Sequence, residues 1–233
     1  MAAIVATYLV LGWTQRASLK QAIESDIDPL PLSGSGKVAA IGILVAAIVL
    51  LAASAFDVQL GLPTLISGVA IALVVLSIER QGPWNIVQSI SWGILPLVAG
   101  LFVIVEAIHR TGFVEVLGNL LDDQARAGTS WAMASTGAVV AFACNIVNNL
   151  PAGLLAGRAL SVAHVPPEVK TAILIGVDLG PNLSLTGSLA TLLWLNALRR
   201  EGLNVSAVQF LKIGLVVMPP ALFLALGVAW MTA

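Results

Sequence analysis

Two interruptions of otherwise apolar sequence hold the residues with chemistry to offer. They are Asn148-Asn149-Leu150-Pro151 and Asp178-Leu179-Gly180-Pro181-Asn182, the second followed closely by Thr186-Gly187-Ser188. A side-chain amide both donates and accepts hydrogen bonds, so Asn148, Asn149 and Asn182 can hold a solute that does the same. A half-helix beginning at Thr186-Gly187-Ser188 would aim its N–H groups and the positive end of its dipole at the break. Asp178 ends a run, 171–177, that has no charge. Such a set suits a small polar solute and a titratable proton carrier. Cys144, one helical turn before Asn148, could reach the same place, but a lone thiol cannot build a three-thiolate site and reads more simply as a small core residue.

The elements that must position these groups are membrane helices. Of 233 residues, 58% are hydrophobic and 10% charged, and the mean hydropathy is +0.98. An ordinary soluble domain carries about a quarter charged residues. Crossing the hydrocarbon needs about 20 mostly apolar residues. The sequence predicts helices over 38–56, 62–78, 90–108 and 207–231, with interrupted elements at 131–163 and 168–200. Residues 1–13 read as the end of a preceding transmembrane helix, and 14–37 as a polar cytoplasmic loop with a Ser-Gly-Ser-Gly run. Residues 111–130 read as a polar loop, and its paired carboxylates Asp122-Asp123 as a solvated end beside Arg126.

In lipid a broken helix leaves backbone groups without water, so irregular backbone survives only inside protein or against a cavity. Asn149 is the expected N-cap after the first break, with Pro151 in the first turn behind it. An ionisable residue at the centre of a membrane helix costs at least about 2.5 kcal/mol and marks ion or proton paths. That is the functional reading of Asp178; the plainer one is a neutral cap of the break. Glu106 and Arg110, spaced i,i+4, predict a surface ion pair, and Arg158 a snorkelling or internally paired cation.

Several classes are excluded or disfavoured. The net charge of -1 gives no basic field for nucleic acid. One cysteine and two scattered histidines, His109 and His164, give no metal-ligand spacing, and no cofactor motif or phosphate loop is present. A membrane-embedded enzyme would show paired carboxylates or a nucleophile and base facing the bilayer interior. Lys and Arg favour cytoplasmic loops; placing 14–37 inside collects Arg16, Lys20, Lys37, Arg80, Arg199, Arg200 and Lys212 there. Either 131–163 or 168–200 can be the re-entrant hairpin on that criterion.

The chain resembles the arsenical pump membrane proteins of the ion transporter superfamily. The resemblance rests on Gly82-Pro83-Trp84-Asn85-Ile86-Val87, on Val147-Asn148-Asn149-Leu150-Pro151, and above all on Gly176-Val177-Asp178-Leu179-Gly180-Pro181-Asn182 with Thr186-Gly187-Ser188-Leu189-Ala190-Thr191-Leu192-Leu193-Trp194-Leu195. It covers the C-terminal half of a typical member. It implies an all-α polytopic membrane protein, one repeat of an inverted-repeat transporter with a re-entrant hairpin at 131–163 and a broken transmembrane helix at 168–200, lodged in the cell (inner) membrane.

The implied activity is secondary export of arsenite or antimonite as the neutral hydroxide in exchange for protons. A soluble arsenite-stimulated ATPase subunit and a separate N-terminal repeat are implied partners. Carried over residue by residue, Asn148, Asn149, Gly180, Asn182, Thr186, Gly187 and Ser188 would bind substrate, and Asp178 would couple protons. The alternatives are a sodium- or proton-coupled carrier of another small anion, and a half-transporter that needs its N-terminal half.

Overall fold

The computed structural model describes residues 2–16, 33–80, 82–90 and 92–232. Most of the polar segment 14–37 lies outside the described residues. Every regular element described is helical, and the chain divides into two compact units, 23–92 and the remainder.

The unit 23–92 is built on two helices, α2 (Gly34–Ala55) and α3 (Gly61–Glu79), with the short α4 (Trp84–Ser89) after them. Ser33 starts α2 by accepting a hydrogen bond from Gly36 N at 3.0 Å, which satisfies one of the orphan donors of the first turn. Arg80, in the left-handed conformation at φ 50°, ends α3. The five residues between them make α2 and α3 neighbours, and Gly42 lets them approach, since a Cβ there would meet the Ile71 side chain. Neither helix has an apolar stripe set against a polar face; α2 buries only Ser35 and α3 buries no residue. A helix that is apolar all round and unburied by its own chain has lipid for its solvent.

The other unit contains α1 (Ala2–Thr14), α5 (Ile94–Arg110), α6 (Phe113–Ala127), α7 (Thr129–Val147), α8 (Asn149–Val162), α9 (Pro167–Leu179), a 3-10 turn (Gly180–Leu183), α10 (Leu189–Arg200) and α11 (Ala207–Met231). Among the described residues, α2, α3, α7 and α11 are each long and apolar enough to cross a membrane. The protein is thus an all-α, multi-pass integral membrane protein.

Three readings of the sequence are corrected. Residues 113–127 form a helix rather than a loop. Gly112, at φ 79°, bends the chain by 72° between α5 and α6, and α6 buries Val114 and Gly118 while its charges stay outside. The N-cap of α8 is Asn148, not Asn149, because Asn148 leaves helical geometry and its side chain accepts from Leu150 N. The helix after the second break starts at Leu189, not Thr186, because Ser188 caps it and 184–188 is needed for contacts with α7.

The packing that positions the site is a ladder of small residues between α7 and α9. Gly176 faces the Gly137 carbonyl and Ala141, Gly180 faces the Ala141 backbone, and Gly137 faces the Ala172 carbonyl, each without room for a Cβ. Small residues four apart let two membrane helices approach to backbone contact, where dispersion rather than exclusion of water holds them. Ala132, Met133, Val165, Val169, Ala172 and Ile173 form one buried cluster beside this ladder, and Ala141, Leu183, Met218 and Leu222 another. Helix α11 runs antiparallel to α7: Trp230 Nε1 donates to Ser130 Oγ at 2.9 Å, and Gly214 lies against the carbonyls of Asn182 and Leu183.

Candidate functional site

The two interruptions meet. Helix α7 stops because Asn148 turns to φ 74°, ψ 151°, a conformation of the glycine-favoured region that persists only when its surroundings impose it. Its side chain is fixed at both ends, with Nδ2 donating to Thr186 O at 3.0 Å and Oδ1 accepting from Leu150 N at 3.2 Å. Beside it Asn149 N donates to Gly187 O at 2.9 Å. One turn earlier on α7, Asn145 Nδ2 donates to Gly180 O at 2.9 Å. Asn145 Oδ1 accepts from Ser184 Oγ at 2.7 Å, and Asn145 O accepts from Thr186 Oγ1 at 3.0 Å. Asn145 O, Asn149 N, Gly180 O, Thr186 O and Gly187 O, peptide groups at one break, are thus satisfied by groups of the other, which is how irregular backbone survives in this setting.

These bonds decide which groups are still open to a solute. At the start of α8, Asn149 N, Leu150 N and Ala152 N are all engaged and Pro151 has none to offer. The positive dipole end of α8 remains, but its donors are spent. At the start of α10, Ser188 Oγ accepts from Ala190 N at 3.1 Å, which leaves the hydroxyl proton free to donate. Among the described residues the side-chain amide of Asn149 makes no hydrogen bond, although its own backbone is pinned to Gly187, next to Ser188. The seam thus presents neutral donors and acceptors from Asn149 and Ser188. Asn182 is exposed on the 3-10 turn, its carbonyl against Gly214, and Gly180 and Gly187 are buried close-approach positions.

Asp178 stands apart from this seam. It lines a cavity of about 330 Å³ whose other walls are Ala2, Ala3, Ile175, Leu179, Ala225, Val228 and Ala229, from α1, α9 and α11. Among the described residues it is the only ionisable one of that wall. Cys144 is buried and makes no part of the polar seam.

The remaining polar residues have structural partners. Glu106 accepts from Arg110 at 3.1 Å and also pairs with Arg158 at 3.1 Å, so the expected i,i+4 pair extends across to tie α8 to α5. Asp122, one of the paired carboxylates, accepts from His164 N at 2.7 Å and fixes the turn that leads into α9. Among the described residues no group of acidic, histidine and cysteine side chains is arranged to hold a metal.

Asn145 and Ser184 were missed in the sequence. Asn145 carries a signal, a lone amide within the apolar run of α7, and so does the small-residue spacing Ala172, Gly176, Gly180.

The profile of the arsenical pump membrane protein family matches residues 37–231. The chain is similar to the arsenical pump membrane protein of Escherichia coli K12, at 27% identity over 97% of the chain and 55% of the relative. It is also 27% identical to that of Yersinia enterocolitica, over 72% of the chain and 41% of the relative. An uncharacterized transporter of Mycobacterium tuberculosis is 29% identical over 72% of the chain and 41% of the relative. The chain spans about half the length of the curated relatives it matches. No solved structure matches it.

Proposed function

The chain belongs to the arsenical pump membrane protein family, and from that premise we propose that it forms the solute-handling part of a secondary carrier. Its cargo is arsenite or antimonite, taken as the neutral trihydroxide and exported in exchange for protons. The observation that carries the reading is the seam itself: two helix breaks locked together, with the neutral amide of Asn149 and the hydroxyl of Ser188 left to bond. A compact uncharged polyol both donates and accepts, as these groups do. The residues of the seam carry no formal charge, so an anion would find dipoles but no counter-ion there.

In this reading α7 and α8 are the arms of a re-entrant hairpin, and α9, the 3-10 turn and α10 are one broken crossing. The packing supports it. Helix α8 returns to α6, with Val162 against Gly118, while α10 continues to Arg199 and Arg200, the side on which positive charge is expected. Asp178, in its own cavity, takes up and releases the exchanged proton. Keeping the proton site off the solute seam allows the two to be coupled through the α9 break without competing for one set of atoms. A complementary repeat from elsewhere in the protein, and a soluble ATPase subunit, are the partners this reading calls for.

The test is antimonite uptake into everted membrane vesicles under an imposed pH gradient. Asp178→Asn is expected to lower the gradient-driven rate at least tenfold while equilibrium binding of antimonite is retained. Uptake by the Asn variant at the wild-type rate would remove Asp178 from the mechanism. A wild-type protein that moves a small carboxylate with sodium, and no antimonite, would replace the cargo.

A further inference from the structure

The side chain of Asn145 is used to its limit. Its two amide protons go to Ala141 O and Gly180 O, both at 2.9 Å, and its Oδ1 takes the Ser184 hydroxyl proton at 2.7 Å. The first of these carbonyls is on its own helix, the second on the 3-10 turn after α9, and the hydroxyl belongs to the strand of chain leading to α10. One amide thus joins three pieces of backbone. Thr186 adds a fourth tie, donating to the Asn145 carbonyl and standing 3.2 Å from the Ser184 hydroxyl. Gly187 packs against both the Pro181 backbone and this side chain, since a Cβ there would stand 2.7 Å from Pro181 Cα and 2.8 Å from Asn145 Oδ1.

An amide with both protons and one lone pair committed has almost nothing left for a solute. From this geometry we infer that Asn145 is a positioning residue for transport. It sets the spacing between the start of α8 and the start of α10, and so the distance between the Asn149 amide and the Ser188 hydroxyl, without touching the cargo. The inference rests on the carrier reading above for what is positioned, and on the hydrogen bonds alone for how. Aspartate is the informative replacement. It has the same shape and still accepts from Ser184, but it places one oxygen against the carbonyls of both Ala141 and Gly180, where a single nitrogen donated two protons. Glutamine keeps the amide but is one methylene too long to reach both carbonyls at once.

The experiment measures antimonite uptake by the full chain in everted vesicles, with each rate normalised to folded protein in the membrane. Asn145→Asp is expected to raise KM at least tenfold, with the maximal rate per folded molecule changed less. Ser184→Ala is expected to raise KM about threefold in the wild-type background and to add nothing in the Asn145→Ala background, since groups in one network do not act additively. KM within twofold of wild type for Asn145→Asp would overturn the inference, as would full additivity of the Ser184 and Asn145 substitutions. So would a loss of folded protein with KM unchanged, which is the mark of a merely structural residue.

If the wild-type protein does not move antimonite, the carrier reading fails first. The inference is then judged by spin labels at Ser161 on α8 and Asn196 on α10. Their distance distribution should broaden in Asn145→Asp, and an unchanged distribution would overturn the positioning role by itself.

Discussion

Gly180→Ala is expected to abolish transport and to reduce folded protein in the membrane several-fold. A Cβ on Gly180 would fall on the carbonyl oxygen, Cα and carbonyl carbon of Ala141, all of them backbone atoms of α7. Backbone cannot rotate away as a side chain can, so α9 must lift from α7 by the width of a methyl group. Overpacking of this kind costs about 1–3 kcal/mol, sometimes more. The lift also pulls Gly180 O from Asn145 and opens the seam. Gly42→Ala is the matching control. Its Cβ also meets close atoms, at 2.8 and 2.9 Å, but they are the Cγ1 and Cγ2 atoms of the Ile71 side chain rather than backbone, and they lie between α2 and α3, which contribute nothing to the seam. Gly42→Ala should leave transport and abundance within twofold of wild type. Equal damage at the two positions would show that the α7–α9 approach has no special part in forming the site.

Asn148→Ala is expected to lower the transport rate by more than tenfold, and Asn148→Gly to lower it less. Two separable effects act at this residue. Its backbone, at φ 74° and ψ 151°, lies where a side chain is strained by about 1–3 kcal/mol. Its side chain offsets that cost with the cap on Leu150 N and the bond to Thr186 O; a lost cap of this type costs about 1 kcal/mol. Alanine keeps the strain and loses both bonds, whereas glycine loses the bonds and relieves the strain. The ordering wild type, Gly, Ala in initial antimonite uptake checks both parts together. Ala and Gly variants of equal rate would show that the backbone conformation contributes nothing, and an Ala variant at the wild-type rate would show that the tip is not held as described.

Both breaks were legible in the sequence because their residues are out of place in a membrane helix: paired asparagines before a proline, and Asp178 before Gly180-Pro181. Hydropathy alone hid α6. Its charges Glu115, Asp122, Asp123 and Arg126 look like a loop when averaged, while their helical spacing leaves Val114 and Gly118 on a buried face. Asn145 was hidden for a different reason. Its role depends on partners 35 to 41 residues away, which no local pattern records.

The separation of Asp178 from the seam has a simple geometric origin. Two residues along a helix are about 200° of rotation, so Asp178 and Gly180 face nearly opposite ways although they are neighbours in sequence. Proximity in the motif suggested one shared pocket. The fold separates them, with a neutral hydrogen-bonded seam between the breaks and a cavity against α1 and α11 whose one carboxylate, among the described residues, is Asp178. Gly137 and Ala141 on α7, Gly176 on α9 and Gly180 at the start of the 3-10 turn bring the two elements close enough for one asparagine to span them.

In the proposed carrier the solute is held at the seam between the two breaks. Antimony can be located directly, by anomalous scattering from crystals of the protein grown with antimonite. The expected result is a single antimony peak whose hydroxyls lie within hydrogen-bonding reach of the Asn149 amide and the Ser188 hydroxyl, and which is lost in Asn149→Ala. An antimony peak in the cavity beside Asp178, or one at the seam that survives Asn149→Ala at full height, would contradict it.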